Sequence, residues 1–336
     1  MASTRGATCT AVLVLLAAGC GHEAAARPPP AAPKATPSAV ATLPSLVAQQ
    51  SLDAVPGLLK ITATPSPDWI MLANGVAWVA NVDHGIARFA NDGRRLGVVR
   101  TTSDICLAMD QGLGSVWAVD CDGHQLLRMD ATTGLLQARI ALDGVSPQAE
   151  SSVAVGPSGV FLLDGSGGIA RVDPVTNRVV AKRLPAPQSS SAVRFGFGSL
   201  WVTSETTGAV TRIDPGTGAV QAEIPKAPGT FLAVGEGAVW VLDDQAGTVH
   251  RIDPATSTLV ATIPVDIKVH GGDIAVGHGS IWIRASDSLV ARVDPITDRV
   301  TERYGFQSGS GSVAADDRDL WVSEHDTMSL WRIRLD

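Results

Sequence analysis

The stretch IAVGHGSIWIRASDSLVARVDPITDRVTERY, Ile274 to Tyr304, decides the fold. It holds four short apolar runs: Ile274 to Val276 before a GHGS turn, IWIR, LVARVD before PITD, and Val300 to Tyr304. Short β-branched runs bounded by Gly, Pro and Asp mark strands and not helices. The unit recurs seven times, anchored on Trp78, Trp117, Phe161, Trp201, Trp240, Trp282 and Trp321, at spacings of 39, 44, 40, 39, 42 and 39. Ten or eleven residues after each anchor comes an arginine (Arg88, Arg128, Arg171, Arg212, Arg251, Arg292, Arg332), usually within R(I/V)DPxT. Upstream runs (I/L/V)AVGxGxxW. Four strands in each of seven such units predict an all-β fold, a seven-bladed β-propeller with four-stranded blades. A parallel solenoid would show shorter repeats and capping units.

The last unit stops at Asp336 in its third strand, and GLLKITATP, Gly57 to Pro65, has the pattern of the missing fourth. Pairing it beside SLWRIRL joins the first and last blades and removes the open edge. The repeated residues are blade-building ones. The indole packs between neighbouring blades. In DPxTG, Asp214 to Gly218 for instance, Asp bonds forward to the backbone, Pro presets its φ and Gly accepts a positive φ.

Outside the repeats, Arg5, an apolar run from Ala11 to Ala18 and small residues up to Cys20 read as an export leader, too short to span a membrane. LLAAGC, Leu15 to Cys20, resembles a bacterial lipobox, in which Cys20 carries the lipid after cleavage before it. Residues 1–19 are thus a lipoprotein signal peptide. Residues 20–50, rich in Ala and Pro, are a partly stiff linker, and 51–336 are the propeller. The expected address is the extracytoplasmic side of a bacterial cell envelope. With 26 basic against 33 acidic residues, a net charge of -7, a nucleic-acid partner is excluded as a first expectation.

With Cys9 in the leader and Cys20 lipidated, Cys106 and Cys121 are the thiols of the folded part. They stand symmetrically about the Gly112 to Gly114 turn, and in an exported protein a disulfide is the expected outcome. A catalytic thiol or a metal pair is the competing reading.

In a propeller the loops entering first strands and those between second and third strands share one face. Three residues after each anchor stand Asn81, Asp120, Asp164, Ser204, Asp243, Ala285 and Glu324, a largely polar ring. Around it come His84, Asp122, His124, Glu205, Asp244 and His325, with Asp68, Asp104 and His270 on loops entering first strands. Asn81, His84, Asp120, Asp164, Ser204, Asp243 and Glu324 are the candidate ligand-binding residues. Such carboxylates and imidazoles suit a cation site or general acid/base work, and equally a solvated rim. Glu324–His325, with His270 from the preceding blade, is the catalytic candidate set; no metal ligand is assigned. His278 belongs to the opposite face and His250 to a third strand. No phosphate-binding glycine loop, G-x-S-x-G turn, HExxH or CxxC occurs.

With its WVAN, WVTS, RIDPxTG and AVGxGxxW runs, the chain from about residue 57 to 336 resembles the bacterial propellers grouped with virginiamycin B lyase and the YncE-like, YVTN-repeat proteins. That resemblance implies the propeller fold. For the lyase branch it further implies elimination opening an ester-linked antibiotic ring, with Mg²⁺ and a histidine base on the loop face. The pattern it carries is a histidine entering a first strand and a glutamate three residues after that blade's anchor. Glu324 matches the second half. Its own blade enters through QSGSGSVAA, without histidine, whereas blade 6 enters through His270 but has Ala285 in the glutamate position.

The expectation is therefore an exported, lipid-anchored, monomeric binding module with an acidic loop face. Its partner would be an envelope protein, a cell-wall component or a small molecule, with membrane contact through the lipid alone. A Mg²⁺-dependent lyase or hydrolase at the same face and a structural envelope protein are the alternatives.

Overall fold

Seven four-stranded antiparallel sheets form the propeller. The computed structural model describes residues 47–63, 66–101, 105–265, 272–306 and 309–336. The expected leader, most of the linker, Cys20, Asp104 and His270 lie outside the described residues. The stretch from Ile274 to Tyr304 falls within one blade, with strands Asp273–Gly277, Ser280–Arg284, Val290–Asp294 and Arg299–Tyr304. Inner strands neighbour one another around the ring, Val313–Ala315 of blade 7 returning to Ile70–Ala73 of blade 1. Leu59–Thr62 supplies the outer strand of blade 7, antiparallel to Ser329–Arg334, with Leu59 opposite Arg332 and Ile61 opposite Leu330.

The repeated motif is a device for joining blades. All seven anchor aromatics are buried, and the Trp117, Trp201, Trp240 and Trp282 indoles each donate to the carbonyl of the glycine five residues earlier, at 3.0–3.2 Å. That glycine ends the inner strand where the next blade presses closest: a Cβ on Gly112 would stand 2.6 Å from Val155. Each arginine's role is not evident from composition alone. Arg128, Arg212 and Arg251 lie 5.0, 5.1 and 5.5 Å above the indoles of Trp117, Trp201 and Trp240. The same guanidiniums reach the next blade's DP turn, donating to the carbonyls of Pro174, Pro254 and Pro295 at 2.6, 2.8 and 2.9 Å. One side chain thus caps the aromatic of its own blade and staples the turn of the following one.

Within those turns the aspartate does what its position predicts. Asp214 Oδ1 accepts from the backbone of Gly216 and Thr217 at 3.0 and 2.7 Å and from the Thr217 hydroxyl at 2.9 Å. These donors hold its carboxyl below the usual carboxylate range, the Thr217 amide most of all. A disulfide joins Cys106 to Cys121, with Cα atoms 5.7 Å apart. Closing that loop contributes about 3 kcal/mol in the chain-entropy picture.

Candidate functional site

Most of the residues three after each anchor are engaged by neighbouring backbone or side-chain groups, the aspartates chiefly by the turns that follow them. Asp120 accepts from the Gly123 amide at 2.8 Å and the Gln125 side chain at 2.6 Å. Asp164 takes the Ser166 and Ser146 amides at 2.9 and 3.2 Å, and Asp243 those of Gln245 and Ala246 at 3.1 and 2.9 Å. Ser204 donates to the Gln188 carbonyl, and Asn81 accepts from the Ile105 amide. Glu324, which is buried, receives the Thr327 hydroxyl at 2.7 Å and the Trp331 indole N–H at 3.3 Å. Backbone amides at a strand end need acceptors, and these side chains are the nearest ones. His84, Asp122 and His124 are exposed.

Two groups do gather on this face. In the first, His325 Nε2 lies 2.8 Å from Asp68 Oδ1, bringing a blade 7 turn against the loop entering blade 1. The neighbouring Asp68 carboxylate raises the imidazole pKa, against burial and the Arg284 charge, so His325 tends to keep its proton. Glu150 lines the same small pocket, floored by Trp69, Leu107 and Phe231. Burial first, and then the Asp68 and Asp244 charges, pushes its carboxyl above the ordinary range while His325 opposes the shift. Trp69 and Phe231 meet at 6.4 Å between ring centroids, from blades 1 and 5, and both line the pocket.

Beneath blade 7's turn, Arg284 is 0% exposed. It donates through Nε to the Ser323 carbonyl at 2.9 Å, through Nη2 to the Gly309 carbonyl at 2.8 Å, and through Nη1 to the Ala285 carbonyl. Burial lowers its pKa to about 10, against the Glu324 and Asp326 charges that raise it. Arg284 was not among the sequence candidates because the residue beside it, Ala285, occupies the ring position. Its signal was a lone arginine where the other second strands carry Ala, Val, Leu, Thr or Ser.

The second group lies between blades 4 and 5, in a groove of about 340 Å³ lined by Glu205, Pro228, Thr230, Asp243 and Asp244. A single hydroxyl stands between two carboxylates there: Thr230 Oγ1 is 2.8 Å from Asp244 Oδ1 and 3.2 Å from Glu205 Oε1. Ser191 donates a further hydrogen bond to Glu205 at 3.0 Å. Neither carboxylate has an ion-pair partner among the described residues.

Among the described residues no three His, Cys, Asp or Glu side chains converge where an ion would sit. Asp68 is spent on His325, and Glu324 on Thr327 and Trp331. These residues do not fit the Mg²⁺ that the resemblance implies, and no step is derived through one.

No family model and no curated protein sequence matches the chain. Solved structures do. Virginiamycin B lyase from Staphylococcus aureus is 17% identical over 83% of this chain and 99% of that one, with a TM-score of 0.68. A catalytically inactive form of that enzyme with quinupristin gives 17%, the same 83% and 99%, and a TM-score of 0.69. The RRP9 WD40 repeats give 12% identity over 82% of this chain and 97% of that one, with a TM-score of 0.70. At such identities the likeness concerns fold: the chain has the seven-bladed architecture that virginiamycin B lyase shares with WD40 repeats.

Proposed function

We propose that this propeller is an exported, lipid-anchored binding module whose acidic loop face takes basic groups, such as lysine- or arginine-bearing segments of an envelope protein. The observation that carries this reading is the Glu205–Thr230–Asp244 groove. Two carboxylates share one hydroxyl there, and the hydroxyl hydrogen satisfies only one of them at a time. A cation placed between them relieves their repulsion and adds charge-assisted hydrogen bonds. Glu150, on which the Asp244 charge acts, lies toward the channel mouth on the same face.

Trilysine is the probe of choice, followed by titration calorimetry at low salt. Changing Glu205→Gln and Asp244→Asn together should weaken its binding about tenfold, and the difference should shrink as salt is added. Equal affinities for the parent and the double variant would end this reading. The anchor rests on LLAAGC. Cys20→Ala should shift the protein from the membrane to the soluble fraction, and undiminished membrane retention would count against lipidation.

The His325–Asp68 pair supports a second reading, a lyase, because it sets an imidazole beside a carboxylate at the channel mouth of a fold shared with virginiamycin B lyase. Incubation with quinupristin discriminates. Ring opening that disappears in His325→Gln would replace the binding module with an enzyme.

A further inference from the structure

On the far side of Trp69, a cavity of about 300 Å³ runs down the channel among the inner strands. Most of its lining residues are apolar in type, with Met71, Met109, Ile274 and Val313 among them, but polar atoms make up most of its exposed surface, and three charged residues line it: Asp110, Arg194 and Asp273. They come from the inner strands of blades 2, 4 and 6.

At two of these places, Asp110 and Arg194, packing does not ask for a charge. Asp110 and Arg194 occupy the inner-strand position that pairs with the anchor indole, opposite Trp117 and Trp201. In blades 3, 5, 6 and 7 that position is Ala154, Ala233, Ala275 and Ala314, and in blade 1 it is Met71. A small apolar residue therefore suffices for packing, and a half-buried charge there costs free energy that packing does not return.

Nor do the charges neutralise one another. Arg194 makes no ion pair with either carboxylate among the described residues. Its Nη1 donates to the carbonyls of Val193 and Ser151 at 2.9 and 3.1 Å, and its Nη2 to the Ser151 hydroxyl at 3.3 Å. Asp110 accepts from the Gln111 and Val155 amides at 2.8 and 2.7 Å. Asp273, 4% exposed, accepts from the Ile274 amide at 2.8 Å, the Ser312 hydroxyl at 2.7 Å and the Val313 amide at 3.2 Å. Opposite charges are thus held apart by backbone groups across one cavity, an arrangement already organised for a dipolar guest. Arg194 acts electrostatically on both carboxylates, yet burial prevails, and the Asp273 carboxyl is pushed up to about 6. A ligand ammonium would supply the positive charge these carboxylates lack.

We propose that the channel cavity binds a small zwitterion of the α-amino-acid type. Its carboxylate lies on Arg194, its ammonium on Asp110, and its apolar side chain against Met71 and Met109. A volume of about 300 Å³ is at the small end of ligand pockets and suits a free amino acid or a short dipeptide. This site is lined by inner-strand residues and shares only Trp69 with the small pocket of the loop face, so it does not depend on the function assigned to that face.

L-Leucine, with N-acetyl-L-leucine and L-leucinamide as single-charge controls, tests it on the full chain by titration calorimetry and melting. Leucine should raise the melting temperature and bind at least about tenfold more tightly than either control, since each control leaves one desolvated charge of the site unpaired. Arg194→Met and Asp110→Asn should each weaken leucine about tenfold or more. Because Arg194 also ties Ser151, Asp110→Asn carries the test alone if Arg194→Met fails to fold. Absence of leucine binding, equal binding of a blocked control, or unchanged affinity in a folded variant would each overturn the proposal.

Discussion

A chain shortened to begin at Ser66 is expected to melt about 10 °C or more below one that begins at Val47. The shortening removes Leu59–Thr62, the strand that pairs with Ser329–Arg332 and completes blade 7. Without it the Ser329–Arg334 strand becomes an exposed edge, and the Ala63 amide no longer caps the Met328 carbonyl, 2.9 Å away. Apolar cover goes too, because Ile61 packs with Leu330 and Trp321, while Leu52 and Leu58 pack beside Val290 and Ile333. Upstream, the Gln49 side chain donates to the carbonyls of Asp287 and Gly305, and Gln50 bridges to Tyr304, so the segment also laces blade 6. Burial at about 25 cal/mol per Å² makes a loss of about 5 kcal/mol or more reasonable for several such side chains. At about 2–4 °C per kcal/mol in a domain of this size, that gives the stated shift. A shortened chain with an unaltered melting curve would mean that the ring closes by other contacts.

Arg284→Met is expected to cost about 3–5 kcal/mol in urea unfolding. The guanidinium is wholly buried and remains charged at neutral pH, since burial lowers its pKa only to about 10. It satisfies carbonyls of Ser323 and Gly309 in blade 7 from its place at the end of blade 6's second strand, so it is a polar link between blades. Methionine has similar length and no donor. The carbonyls would lose their partners inside the protein, and Glu324 and Asp326 would lose a nearby positive charge. Arg284→Lys should recover part of the stability, because one ammonium does not reproduce a planar fork reaching several acceptors. A loss below about 1 kcal/mol in Arg284→Met would show that water or rearranged backbone replaces these bonds.

Much of this was readable in the chain. The period, the strand runs and the closing segment follow from local pattern: every blade must bury an aromatic, turn at Gly or Asp–Pro, and repeat. The arginine staple was readable in principle, since its target turn recurs with the same period as the arginine. Asp110 and Arg194 likewise stand out against alanine at the equivalent position of four other blades.

The candidate site was less legible. A position three residues after the anchor locates a strand end, but whether its carboxylate faces a ligand or its own turn depends on which donors lie nearest. Asp120, Asp164 and Asp243 all accept hydrogen bonds from amides two or three residues downstream. Asp68 with His325, and Trp69 with Phe231, join residues far apart in sequence, and only the closed ring brings them together.

The sequence by itself determined the seven-fold repeat, the strand order within a blade and the segment that closes the ring, because these rest on short-range periodicity and turn chemistry. Tertiary structure alone decided which charges meet. Closing the ring set Asp68 against His325, placed one hydroxyl between Glu205 and Asp244, and held Arg194 apart from Asp110 and Asp273. The physical reason is that an ion pair, or its avoidance, depends on distances of a few ångströms between chain segments that no local pattern specifies.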